Sequence, residues 1–193
     1  FTRTGARPGD QIFVTGTLGD SAMGLKLLMP RKKNFKSTKY RRSLIQKHLE
    51  PIPRMKESSL LAKSKLQVTS MIDLSDGLVQ DLSHLCATGT LGAELDEAKL
   101  PISQALDSIC QQKGHNPTDW ILRGGEDYEL LFTIRQEDVR KLNKLFLKTD
   151  TPISHIGEIT KSSGKIILKK KNGRKKSLKP SMGFNHFKRD QWS

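Results

Sequence analysis

Short β-rich runs and helical stretches alternate along this chain, and at three of the junctions glycine stands beside Asp, Glu or Ser. Gln11–Thr15 (Q-I-F-V-T) is a β-rich run that passes through the tight turn 16–19 into a segment carrying Ala22, Leu25, Leu28 and Met29 on one helical face. Asp20 or Ser21 can cap that helix, and Pro30 ends it. Residues 70–73 (S-M-I-D) suit a short buried strand, and residues 75–86 form the clearest helix, with Ser75 as N-cap, Asp76 in the first turn and Leu78, Leu82 and Leu85 on one face. Behind Gly124-Gly125, residues 128–134 read as a strong strand, followed at 136–146 by an amphipathic helix bearing Val139, Leu142 and Phe146. The pattern further predicts helices at 43–49, 56–65 and 103–110, strands at 93–95 and 153–159, and a hairpin from 165–169 through Asn172-Gly173. Strands alternating with helices, and antiparallel at the end, predict an α+β fold: one layered domain with a mixed β-sheet covered by helices. Residues 1–10, punctuated by Gly5, Pro8 and Gly9, read as a connector, and residues 11–193 as the domain.

A length of 193 residues fits one domain and allows a core that needs no covalent staples. The two cysteines, Cys86 and Cys110, have no metal or redox spacing and read as small core residues in a reducing compartment. No apolar run is long enough to span a bilayer, and the chain is expected in the cytoplasm. The net charge of +14 is unevenly placed: residues 31–47 carry eight Lys or Arg, residues 161–188 carry ten, and neither stretch has an acid. Basic runs attract phosphate-rich ligands, but as two overlays on an otherwise acidic body these read first as solvated surface.

Chemistry concentrates at the three glycine-acid turns. In the first, 16–21 (G-T-L-G-D-S), a helix N-terminus can receive an anion, or Asp20 can simply cap it. In the second, 73–77 (D-L-S-D-G), Asp73 and Asp76 lie three residues apart across a strand-to-helix turn. They can hold a hard cation such as Mg²⁺ against phosphate, with Ser75 donating to the phosphate, or all three can serve as caps. In the third, 125–129 (G-E-D-Y-E), the acids are either a solvated turn or part of a site. The five histidines show no ligand spacing, and no phosphate-binding G-x-x-x-x-G-K-[ST] loop occurs. No side chain stands out as a catalytic acid or base.

In order along the chain, G-A-R-P-G-D at 5–10 with V-T-G-T-L-G-D-S-A-M-G-L after it, M-I-D-L-S-D-G-L at 71–78 with Asp81-Leu82, G-G-E-D-Y-E-L-L-F at 124–132 and G-F-N-H-F at 183–187 resemble the carboxy-terminal half of the thiamine-monophosphate kinases. That family lies in the superfamily of aminoimidazole-ribonucleotide synthetase, selenophosphate synthetase and the hydrogenase maturation factor. The resemblance implies the fold of the carboxy-terminal domain of aminoimidazole-ribonucleotide synthetase. It implies transfer of the ATP γ-phosphoryl group to thiamine monophosphate with Mg²⁺, in a homodimer. It also implies that Asp73 and Asp76 bind metal, that Arg3 and Ser75 contact ATP, and that Glu126 or Asp127 and Phe184 contact the thiamine moiety. Family members carry an amino-terminal ATP- and metal-binding domain that nothing here matches, so this chain alone is expected to be inactive. Two alternatives are another member of the superfamily and a basic nucleic-acid-binding module. The latter leaves the acidic turns unexplained, since they would repel a phosphate backbone.

Overall fold

The computed structural model describes residues 1–29, 38–87 and 90–180. In chain order its elements are β1 (Gln11–Thr15), α1 (Asp20–Leu28), α2 (Lys39–Leu49), α3 (Met55–Lys63), β2 (Val68–Asp73), α4 (Leu78–Cys86), β3 (Gly92–Asp96), α5 (Gln104–Lys113), α6 (Pro117–Arg123), β4 (Leu130–Ile134), α7 (Val139–Phe146), β5 (Ile153–Thr160), β6 (Ile166–Lys169) and β7 (Lys175–Leu178). The seven strands form one sheet in the order β2-β4-β1-β5-β3-β6-β7. Its pairs are antiparallel except β3 with β6, so the sheet is mixed, as the sequence pattern predicts.

Every residue of β1 is buried, because the strand lies between β4 and β5 and is covered on both faces. Successive side chains of a strand point to opposite faces. Ile12 and Val14 therefore join the larger core, built with Leu27, Leu78, Leu82, Leu106 and Ile121 from the helices on one side. Phe13 joins a smaller core with Leu61, Met71, Phe132, Leu142 and Phe146 under α3 and α7. Burial of each such Leu or Phe contributes roughly 1.5–3 kcal/mol. The register of β1 on β5 shifts between Ile12 and Phe13, beside Gly157. Cys86 and Cys110 are free and buried, and burial pushes both thiols up to about 11.

Several boundaries differ from the sequence expectation. α4 begins at Leu78, and neither Ser75 nor Asp76 is its cap: Gly77 is the N-cap residue, and the Asp81 carboxylate accepts from the backbone N–H groups of Ser75, Asp76 and Gly77 at 3.0, 3.1 and 3.2 Å. β4 begins at Leu130 because Tyr128, at φ 50°, is not extended. α2 begins at Lys39, where the Thr38 side chain caps it. α6 has no counterpart in the sequence reading, although Asn116 caps it and Pro117 occupies its first turn. β2 lies at the sheet edge and is buried only at Ser70 and Met71, with Asp73 exposed. Residues 1–10 form no helix or strand and line the free edge of β2, where Met71 N–H donates to the Thr2 carbonyl at 2.9 Å. Part of the basic stretch at 31–47 and the motif at 183–187 lie outside the described residues.

Candidate functional site

All three glycine-acid turns meet at one end of the sheet. The central and third turns are joined through their backbones: Leu74 N–H donates to the Glu129 carbonyl at 2.8 Å, Tyr128 N–H to the Leu74 carbonyl at 2.9 Å, and Glu126 N–H to the Ser75 carbonyl at 2.9 Å. This approach requires Gly125, because a Cβ there would collide with the Ser75 carbonyl oxygen. The bonds also hold Glu126 and Tyr128 in the left-handed region, at φ 64° and 50°. Such conformations cost about 1–3 kcal/mol each in a non-glycine residue and persist only where the surroundings impose them.

The first turn joins through a side chain. Asp127 accepts from the Gly19 N–H at 2.7 Å and from the Ser21 N–H at 3.2 Å, so its carboxylate caps α1 from a distant part of the sequence. Asp20 and Ser21, the caps read from sequence, do not do so: Gly19 is the N-cap residue, and Asp20 instead accepts from Thr17 and Ser103 hydroxyls. A helix N-terminus attracts an anion, and here the Asp127 carboxyl fills that position. Burial pushes the Asp127 carboxyl up to about 8, with the neighbouring charges of Asp20 and Glu129 adding to it and the two N–H bonds opposing it. Burial raises Asp20 as well.

Glu129 is 2% exposed and tightly held. Arg54 grips both of its oxygens at 2.6 Å, the Thr15 hydroxyl donates to it at 2.7 Å, and Lys47 stands 3.9 Å away. The bond to Glu129 raises Arg54 above the ordinary guanidinium value.

The acids of the central turn are differently placed. The side chains of Asp73 and Asp76 accept no hydrogen bond among the described residues; Asp73 is exposed and Asp76 half-buried. Asp76 can bring a ligand atom to within 4.8 Å of those of Asp81 and His84. Asp81 is buried, and burial pushes its carboxyl up to about 6, with the charge of Asp76 adding to the rise and three backbone N–H groups opposing it. Asp76 and Asp81 offer oxygens of the kind a hard cation such as Mg²⁺ prefers, while Asp73 does not belong to this group. Sequence spacing singled out Asp73 and Asp76 but missed Asp81, whose signal lies within the quoted 71–82 stretch. Beside Asp73 a cavity of about 400 Å³ opens, walled by Pro51, Pro53, Met55, Tyr128 and Leu130.

Of the other residues singled out from sequence, Ser75 lies in the central turn with its backbone bonded to Glu126 and Asp81. Arg3 is exposed on the connector along the β2 edge, the strand that ends at Asp73. Glu126 is partly exposed and faces His48 on α2. Phe184 lies outside the described residues. No helix among the described residues is long and apolar enough to cross a membrane.

A curated thiamine-monophosphate kinase of Buchnera aphidicola from Acyrthosiphon pisum is 43% identical over 96% of this chain and 55% of its own length. That of Escherichia coli K12 is 41% identical over 83% of this chain and 47% of its own. The chain thus spans about half the length of the curated relatives it matches. Among solved structures, "AaThiL complexed with AMPPCP and TMP" superimposes with a TM-score of 0.76 at 36% identity, covering 96% of this chain and 53% of that one. The family profile described as "AIR synthase related protein, C-terminal domain" matches residues 7–169. A match of that extent settles the family: the chain belongs to the AIR synthase related proteins and carries their C-terminal domain.

Proposed function

We propose that this chain is the carboxy-terminal domain of a thiamine-monophosphate kinase, which transfers the γ-phosphoryl group of ATP to thiamine monophosphate and forms thiamine diphosphate. The observation that carries this reading is the convergence of the three acidic turns, with Asp73 and Asp76 left without hydrogen bonds and Glu126 partly exposed, while Asp127 and Glu129 are engaged by the fold. The relatives' name and the solved complex with AMPPCP and TMP support it. In the whole enzyme an amino-terminal domain supplies further aspartates and most of the nucleotide site, and the carboxy-terminal domain alone does not turn over. The assembled enzyme is a homodimer in the cytoplasm.

Transfer between two phosphates needs positioning and charge neutralisation more than covalent chemistry. Asp73 and Asp76 are the residues that would hold Mg²⁺, with Asp81 behind them. The metal, when bound, offsets the repulsion between the phosphates. Ser75 sits on the same turn and donates to a nucleotide phosphate, and Arg3 reaches the nucleotide from the connector. Glu126 is the substrate-facing acid, since Asp127 is engaged at α1. Its negative charge suits the cationic thiazolium and aminopyrimidine of the substrate, while Phe184 gives the ring an aromatic face. The test is turnover of the full-length enzyme with ATP, Mg²⁺ and thiamine monophosphate. Formation of thiamine diphosphate is expected; phosphorylation only of an unrelated acceptor would refute the assignment.

A further inference from the structure

The last turn of α2 and the segment that leads to α3 present three basic side chains to the third turn. Lys47 and Arg54 reach Glu129, and both Glu129 oxygens are occupied. His48 does something different. Its Nδ1 lies 3.0 Å from the Ser21 hydroxyl and 3.4 Å from Glu126 Oε2, and its side chain is 16% exposed against 31% for Glu126. With its proton on Nδ1 the ring donates to the Ser21 hydroxyl, and Glu126 Oε2 lies within ion-pair distance of the same nitrogen. Neither Glu126 oxygen accepts a hydrogen bond among the described residues, and Oε2 is the one that touches His48. Glu126 is therefore anchored by one oxygen and open at the other, on a backbone already fixed in the left-handed region.

This contact depends on close helix packing. A Cβ at Gly24 of α1 would collide with the Leu44 carbonyl oxygen of α2 and crowd the His48 Cβ, so the glycine lets α2 lie close enough for His48 to reach across α1 to Ser21 and Glu126. Pro51 and Pro53 then stop α2 and return the chain to Arg54. The same short segment thus locks Glu129 as a structural acid and aims Glu126 as a binding acid.

We propose that His48 is a positioning residue for substrate recognition: it holds Glu126 so that Oε1 accepts an N–H of a cationic heteroaromatic substrate. This rests on the thiamine-monophosphate kinase reading. An unanchored glutamate samples several rotamers, and binding must then include the cost of ordering it.

The test is steady-state kinetics of the full-length enzyme with His48→Ala, His48→Asn, Glu126→Gln and the double variant His48→Ala/Glu126→Gln. Asn places a donor nitrogen near the position of the histidine Nδ1. We expect His48→Ala to raise KM for thiamine monophosphate about tenfold, or about 1.4 kcal/mol of binding. KM for ATP should stay within about twofold, well below that scale. His48→Asn should restore most of the loss, and His48→Ala should have no further effect once Glu126 is Gln. Equal rises in both KM values, a lowered melting temperature with unchanged kinetics, or a His48 effect that persists in the Glu126→Gln background would each overturn the proposal. An unmodified enzyme that does not phosphorylate thiamine monophosphate would instead sink the functional reading, and this proposal with it.

Discussion

The central and third turns are both glycine-bearing, both acidic and bonded to each other, yet their carboxylates have different fates. In the third turn, Asp127 is tied to the α1 N-terminus and Glu129 is clamped by Arg54. In the central turn, Asp73 and Asp76 accept no hydrogen bond among the described residues. A carboxylate that is buried and paired contributes to the fold and is unavailable to a ligand; one left without partners at the rim of a cleft is available to a cation. Composition does not distinguish the two turns, but the partners brought by distant elements do.

If the comparison holds, Glu129→Ala has the largest effect on stability. It leaves the Arg54 guanidinium in a half-buried site without its carboxylate, and removing one partner of a buried pair costs about 3–5 kcal/mol. Chemical denaturation of the domain measures it; a loss below about 1 kcal/mol, the range of exposed pairs, would show that the clamp is solvated.

A smaller effect is expected at Asp127. Asp127→Ala removes the cap of α1, at about 0.5–2 kcal/mol. The pH dependence sharpens this. The Asp127 carboxyl titrates near 8 in the folded chain and near its ordinary 3.8 in the unfolded one. The folded state therefore binds the proton more tightly, and this group's contribution to stability is fully present below pH ~4 and falls as pH rises towards ~8. Thermal melts across that range should show the advantage of the parent over Asp127→Asn shrinking with rising pH. A growing advantage would mean that the two N–H bonds outweigh burial.

The smallest effect is expected at the basic stretch. Arg31, Lys32 and Lys33 replaced together by Gln should leave full-length kinetics almost unchanged; a tenfold loss of turnover, about 1.4 kcal/mol of barrier, would move this segment into the site.

Much of this is legible in the sequence. The leucines of α4 and of α7 report their faces through helical spacing, and Asn172-Gly173 reports the β6–β7 hairpin, because these signals are local. Sequence also marks all three acidic turns, since glycine and acid at a strand end are local features. It does not assign their roles. Ser75 satisfies every local rule for an N-cap, but Asp81 reaches back to bind the turn and α4 starts three residues later. Asp20 likewise gives way to Asp127, 107 residues away in the chain, whose carboxylate caps α1. The pairing of Glu129 with Arg54 and of Glu126 with His48 depends on where α2 and α3 pack, which no spacing along the third turn reveals. The strand expected at 128 starts later for a similar reason: the bonds of Tyr128 and Glu126 to the central turn hold both residues left-handed.

The central claim, that the central turn acts on ligand while the engaged acids of the third turn support the fold, is tested most directly by Asp73→Asn in the full-length enzyme, with turnover and melting temperature measured on the same preparation. The substitution keeps the shape of an exposed side chain and removes its charge. The account predicts turnover lower by orders of magnitude and a melting temperature nearly unchanged. Normal turnover with a lowered melting temperature would contradict it, and would make Asp73 a structural residue like Glu129.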